Sequence, residues 1–167
     1  MHQSAFKNCK KFVQKYVKKK SIVLDVGSFD INGSLKPLFE GHDYTGLDME
    51  EGKNVDLVAN SHKTFLPENH FDVIVSSSNF EHDNMFWLTF KEMVRIVKPG
   101  GLIYINAPSA GFYHGYPGDC WRFYKDCWKA LQDYVKQDSK FEVEILEQYI
   151  DSDLPWKDNV GIFKKVK

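Results

Sequence analysis

The stretch Ser21-Ile22-Val23-Leu24-Asp25-Val26-Gly27-Ser28 decides how this chain must be read. Residues 22–26 are apolar and mostly β-branched, broken only by one aspartate. They do not alternate wet with dry positions, which is the pattern of a strand buried on both faces. Gly27 stops the run and lets a ligand approach the backbone. In an open α/β sheet such a ligand sits in the crevice above the strand ends. There Asp25 can accept a hydrogen bond from a cationic amino group, or it can simply cap a turn.

Working outward, Phe6, Cys9, Val13, Tyr16 and Val17 recur at helical spacing before this strand, with Lys7, Lys10, Lys11, Lys15 and Lys18 to Lys20 between and after them. The lysines suit the negative end of the helix dipole and read as a solvated face. Beyond the glycine, a short helix is expected over 34–40, with Pro37 in its first turn. Strands follow over 44–48, 55–59 and 71–76, a helix over 84–97, and a fifth strand over 102–106. Between the last two, Lys98-Pro99-Gly100-Gly101 forms a tight turn.

Strands this apolar, alternating with helices, require a mostly parallel, doubly wound sheet with right-handed crossovers. The link from the second to the third strand is too short for an ordinary crossover, so that region is reduced. A helix over 125–135 precedes two strands, 141–146 and 160–166. Joined through the turn-rich segment 151–155, they form an antiparallel pair at the sheet edge. The expectation is one α/β domain over 1–167.

Composition excludes several classes. Twenty-two Lys and Arg nearly cancel 23 Asp and Glu, leaving a net charge of -1 and no field to hold a nucleic-acid backbone. No apolar run approaches the roughly 20 residues that cross a bilayer, so no membrane contact and a cytoplasmic location are expected. Cys9, Cys120 and Cys127 read as free thiols. No His, Cys or Asp group shows the spacing of a ligand set, and no metal is expected.

A second candidate site is Gly46-Leu47-Asp48. An acidic residue about 20 positions after a glycine turn can accept both ribose hydroxyls on one carboxylate. The turn itself is not a dinucleotide fingerprint, because Phe29 stands where the second glycine of G-x-G-x-x-G would admit a pyrophosphate.

Val23-Leu24-Asp25-Val26-Gly27-Ser28, Gly46-Leu47-Asp48, Leu66-Pro67 with Phe71-Asp72-Val73-Ile74, Phe80-Glu81-His82 and Val97-Lys98-Pro99-Gly100-Gly101 occur in this order. Together they resemble the class I S-adenosylmethionine-dependent methyltransferases, in the branch called methyltransferase type 11. The resemblance covers residues 21–108 and implies a Rossmann-like fold with a reduced third strand and helix. It also implies S-adenosylmethionine as cofactor and S-adenosylhomocysteine as product. By the same resemblance Asp25, Gly27 and Ser28 surround the methionine part, Asp48 holds the ribose, and Met49 packs on the adenine. Asn60 and Ser61 face the adenine amino group, while Ser77, Ser78 and Phe80 line the sulfonium side.

The run Tyr113-His114-Gly115-Tyr116-Pro117-Gly118-Asp119-Cys120-Trp121-Arg122-Phe123-Tyr124 follows the fifth strand and should overhang the reacting methyl. Its aromatics can exclude water, with His114, Asp119 and Arg122 as polar handles. Alternatively, the loop packs on itself, with Asp119 and Arg122 paired and Trp121 in the core. His82 either takes a proton from the acceptor, since an imidazole ordinarily titrates near about 6.5, or holds the loop in shape. The run resembles small-molecule members of the family, some near sugar and secondary-metabolite pathways. Methyl transfer to O, N or C of a small acceptor is the leading expectation. The rival is a cofactor-binding but inactive subunit whose exposed aromatics dock on a catalytic protein; as partners, a second copy of the chain or another protein both stay open.

Overall fold

The computed structural model describes residues 2–17, 20–115 and 118–167. Lys18 and Lys19 of the lysine-rich segment, and Tyr116 and Pro117 of the aromatic run, lie outside the described residues. The elements are α1 (Gln3–Tyr16), β1 (Ile22–Val26), β2 (Asp43–Asp48), β3 (Leu57–Val58) and β4 (Phe71–Ser77), then α2 (Phe86–Ile96), β5 (Val97–Pro108), α3 (Cys127–Asp138), β6 (Val143–Ile150) and β7 (Asp158–Lys165).

One seven-stranded sheet has the order β3-β2-β1-β4-β5-β7-β6. Pairing is parallel from β3 through β5, and β7 inserts antiparallel between β5 and β6. This is the Rossmann-like α/β fold expected, with its antiparallel C-terminal edge.

The two faces are covered unequally. On one, Cys9 and Phe12 of α1 meet Val23, Val73, Val75 and Tyr104. On the other, Phe90, Met93 and Val94 of α2 and Trp128, Leu131 and Val135 of α3 cover Leu24, Ile74, Ile103 and Phe163. Both strand faces of β1 and β4 are thereby dry, which is why their sequences lack alternation.

Three local expectations change. The helix expected over 34–40 is a single 3₁₀ turn, Lys36–Phe39, because Pro37 at its start leaves too few residues for a helix to propagate. The third strand shrinks to Leu57–Val58, which pair with Leu47 and Asp48. Lys98-Pro99-Gly100-Gly101 is a bulge inside β5 rather than a turn before it. Phe71 pairs with Val97 and Val73 with Leu102, so two steps along β4 face five along β5. Gly100 takes the positive φ of 79° that the bulge needs.

Gly46 is the tightest point of the β2 tip. It exchanges hydrogen bonds with Asp56, whose Oδ2 accepts the Gly46 N–H at 2.8 Å and whose N–H reaches the Gly46 carbonyl at 2.8 Å. A Cβ here would stand 1.9 Å from the backbone oxygen of Asn54. Gly46→Ala is therefore expected to lower unfolding free energy by about 2–3 kcal/mol through overpacking, measured by urea denaturation at constant m-value.

Candidate active site

A cavity of about 680 Å³ opens at the carboxyl ends of β1, β4 and β5, within the size range of small-molecule sites. Its floor is made by two strand tips. Gly27 and Ser28 leave β1 by donating both backbone N–H groups to the Leu47 carbonyl, at 2.9 and 3.1 Å. Gly27 has φ +82°, and the space of its missing Cβ is filled by the Asn79 side chain, whose Cγ lies 2.4 Å from that position. Close packing of protein, as well as ligand access, thus requires glycine here. Asn79 in turn donates to Ser76 Oγ at 3.3 Å, and Ser76 donates to the Val26 carbonyl at 2.8 Å, tying β4 to β1.

Asp25, Gly27, Ser28, Ser77 and Ser78 all line the cavity. Asp25 is 4% exposed, and its carboxylate accepts the Tyr44 hydroxyl at 2.6 Å. Burial raises its pKa to about 7, opposed by the Tyr44 hydrogen bond and reinforced by the charge of Asp48. The Ser77 and Ser78 hydroxyls are buried without a hydrogen-bond partner. Ser78 also holds a positive φ of 52°, a conformation that costs energy in a non-glycine residue.

Asp48, Met49, Asn60 and Ser61 are not among the residues that line the cavity. Asp48 receives the Phe29 and Met49 backbone N–H groups at 3.0 and 2.7 Å, one on each oxygen. Each oxygen keeps a further lone pair. Met49 is 64% exposed beside it. Asn60 Oδ1 caps the His62 N–H at 2.8 Å, and Ser61 shares a hydrogen bond with Thr89 at 2.9 Å. Phe80 corrects the sequence reading outright: it is fully buried and packs on Phe86 and Phe123 beneath the site, where an apolar ring is better placed than in a polar cavity.

The opposite wall carries His82 and His114, whose rings meet edge to face at 5.0 Å, with Trp156 4.6 Å beyond His114. Asp119 and Arg122 do not reach the cavity. They pair with each other, Arg122 giving both terminal nitrogens to the Asp119 carboxylate at 2.5 and 2.8 Å, in a loop whose Asp119 side chain is 1% exposed. The guanidinium holds that carboxyl well below the usual carboxylate range. Asp119 acts on the site by accepting the His114 backbone N–H at 2.9 Å. Trp121 lies half-exposed against Phe86 and Trp87, not in the core.

Several wall residues escaped the sequence reading. Glu81, 2% exposed, has one carboxylate oxygen without a partner, and burial raises its pKa to about 8. Only its place in the Phe80-Glu81-His82 motif signalled it. His2 and Trp156 line the cavity from the two ends of the chain, and Asn79 sits behind Gly27; no local pattern marks any of the three.

Residues 24–105 match the sequence profile of a family described as methyltransferase domain. No curated protein sequence matches the chain. Among solved structures, the chain is similar to the Burkholderia thailandensis 1,6-didemethyltoxoflavin-N1-methyltransferase, crystallised with 1,6-didemethyltoxoflavin and S-adenosylhomocysteine. The TM-score is 0.72 at 15% identity, over 98% of this chain and 79% of that one. The PH0226 protein of Pyrococcus horikoshii OT3 gives 0.71 at 15% identity, over 97% and 90%. The putative methyltransferase in complex with the Haloferax volcanii Trm112 methyltransferase activator gives 0.68 at 15% identity, over 96% and 90%. The fold is that of the class I methyltransferases, whose cofactor is S-adenosylmethionine, and the family profile covers residues 24–105 of it.

The residues present fit that cofactor. Two buried, unpartnered hydroxyls and a buried carboxyl poised near neutrality meet the demands of a polar, cationic ligand. The raised Asp25 pKa also makes a stability prediction. The folded state keeps its proton up to about pH 7, the unfolded chain only to about 3.8, so Asp25 drains stability as pH rises between those values. Asp25→Asn, which can still accept from Tyr44, should therefore melt higher than the wild type at pH 8 and equal it near pH 4, by calorimetry without ligand.

Proposed function

We propose that the chain methylates a small-molecule acceptor admitted between the floor of Asp25, Ser77 and Ser78 and the wall of His82, His114 and Trp156. The observation that carries this reading is that one continuous cavity is bounded by both groups. S-adenosylmethionine supplies an electrophilic methyl on sulfur. What remains for the protein is to align an acceptor at about 3 Å, exclude water, and receive a proton. In this reading Asp48 accepts the ribose hydroxyls, with exposed Met49 against the adenine and Asn60 beside it. Asp25 faces the cationic end. His82 donates its Nδ1 proton to the Gly118 carbonyl, which leaves Nε2 as the proton acceptor.

Asp48→Ala should weaken S-adenosylhomocysteine binding at least about tenfold in calorimetry, since a charge-assisted acceptor is lost. Binding that needs ionised Asp25 should strengthen from pH 6 to pH 8 with proton release, by up to about tenfold per pH unit below 7. Asp25→Asn should flatten that profile. The reaction itself is tested with methyl-labelled cofactor and a panel of phenols, sugars and amines, with label expected in one class.

A second reading is favoured by a specific surface. Phe112, Tyr113, Tyr124 and Leu154 are 66 to 78% exposed, and Phe112 packs on Trp156 of the cavity wall. Such apolar exposure also suits a subunit that binds cofactor and docks on a partner. Retained S-adenosylhomocysteine binding with no label transferred to any acceptor supports this reading instead.

A further inference from the structure

We propose that Glu81, His82 and His114 bind one divalent transition-metal ion at the cavity mouth. One ligand atom from each lies within 4.8 Å of the other two. Ligands of a single ion stand at most about 4.2 Å apart, twice a metal–nitrogen bond, so a small inward turn of the side chains closes the set. Two imidazoles and a carboxylate are the donors of catalytic Zn²⁺ and of facial sites for Fe²⁺, with positions left open.

The surroundings of these donors are those of a metal site. The carbonyl of Gly118 can only accept, so His82 Nδ1 carries the proton in their hydrogen bond. Around His114 Nδ1 stand two acceptors that favour a proton there, the Asp119 carboxylate at 3.1 Å and the Phe112 carbonyl at 3.4 Å, together with Arg122 Nη2 at 3.4 Å. Both rings are thus oriented from behind, and each keeps its Nε2 lone pair for a cation, the second-sphere arrangement typical of metal-bound histidines. Arg122, by clamping Asp119, holds the support for His114 in place.

The independent sign is Glu81. Its Oε2 is buried, has no hydrogen-bond partner, and belongs to a residue that lines the cavity. Its other oxygen is 3.8 Å from His82 Nε2, too far for a hydrogen bond. A buried carboxyl oxygen left without a partner is costly, and a cation between this group and the two imidazoles satisfies all three. The sequence did not disclose the set because His114 arrives from a loop 32 positions beyond His82, the difference of their numbers.

The role of the ion rests on the acceptor reading; its binding does not. An open coordination position facing the cavity suits an acceptor with an acidic hydroxyl. With the ion bound, His82 Nε2 is a ligand and no longer the base: the O–H bond breaks with its electron pair kept on oxygen against the ion, and the proton passes to water, leaving a stronger nucleophile.

The probe is Co²⁺ added to the full chain after chelator treatment and desalting. Expected are visible d–d absorption saturating at one equivalent, with Kd below about 10 µM. Glu81→Gln, His82→Ala and His114→Ala should each weaken binding at least about tenfold, and Asp119→Asn by about tenfold through the orientation of His114. His70→Ala, remote and exposed, should leave it unchanged. A check that needs no variant is the proton spectrum of the Co²⁺-loaded wild type, where two exchangeable, hyperfine-shifted imidazole N–H signals are expected. No saturable absorption, saturation undiminished in both histidine variants, or fewer than two such signals overturns the site. S-adenosylhomocysteine calorimetry on the metal-free protein separates the two claims: retained binding with no Co²⁺ uptake sinks only the metal site, and the reverse sinks only the cofactor assignment.

Discussion

A single peptide oxygen, that of Leu47, organises the site. It accepts the N–H groups of Gly27 and Ser28, and the next N–H, of Phe29, goes to the Asp48 carboxylate. Three consecutive donors leaving β1 are thus fastened to the tip of β2. With Asp25 in register opposite Gly46, this places two carboxylates on neighbouring strands close enough for one charge to raise the pKa of the other. Burial, with this repulsion added to it, makes the site receptive: a cationic ligand that approaches Asp25 stabilises the ionised form of a carboxyl that the protein alone holds protonated up to about pH 7.

The far wall is built from longer-range contacts. Glu81 uses its carbonyl to accept the Cys120 and Trp121 N–H groups, at 2.7 and 3.3 Å, and so draws the aromatic loop over the tip of β4. Asn159 of β7 holds the end of that loop through the Phe123 and Tyr124 carbonyls, while its Oδ1 receives the Trp128 indole N–H at 2.8 Å. The antiparallel insertion of β7 therefore does more than close the sheet. It carries the anchor for the loop that supplies His114.

The fold was legible because burial on two faces leaves an unmistakable mark: residues 22–26 and 71–76 are apolar without alternation, and turn chemistry separates them from helices of period 3.6. Where the sheet is thin the mark fades. Leu57–Val58 is too short to show a pattern, and the bulge at Lys98-Pro99-Gly100-Gly101 imitates a turn because glycine serves both. The site was legible on its floor, where Asp25, Gly27 and Ser28 follow one another on a strand tip. It was not legible where tertiary contact decides. Asp119 and Arg122 read in the sequence either as polar handles or as a pair, and only the folded loop decides for the pair. Phe80 turns into the core, whereas Glu81 beside it turns to the cavity, a difference of one position at a strand end that spacing alone does not resolve. His2 and Trp156, 154 positions apart by their numbers, had no means of announcing that they share a wall.

A crystal structure of the full chain with S-adenosylhomocysteine tests the central claim most directly. The account requires one molecule to span the two strand tips, its ribose diol on Asp48 and its amino-acid end against Asp25, with the sulfur facing His82 and His114. Density for the ligand elsewhere, or a bound molecule that leaves either carboxylate untouched, contradicts it.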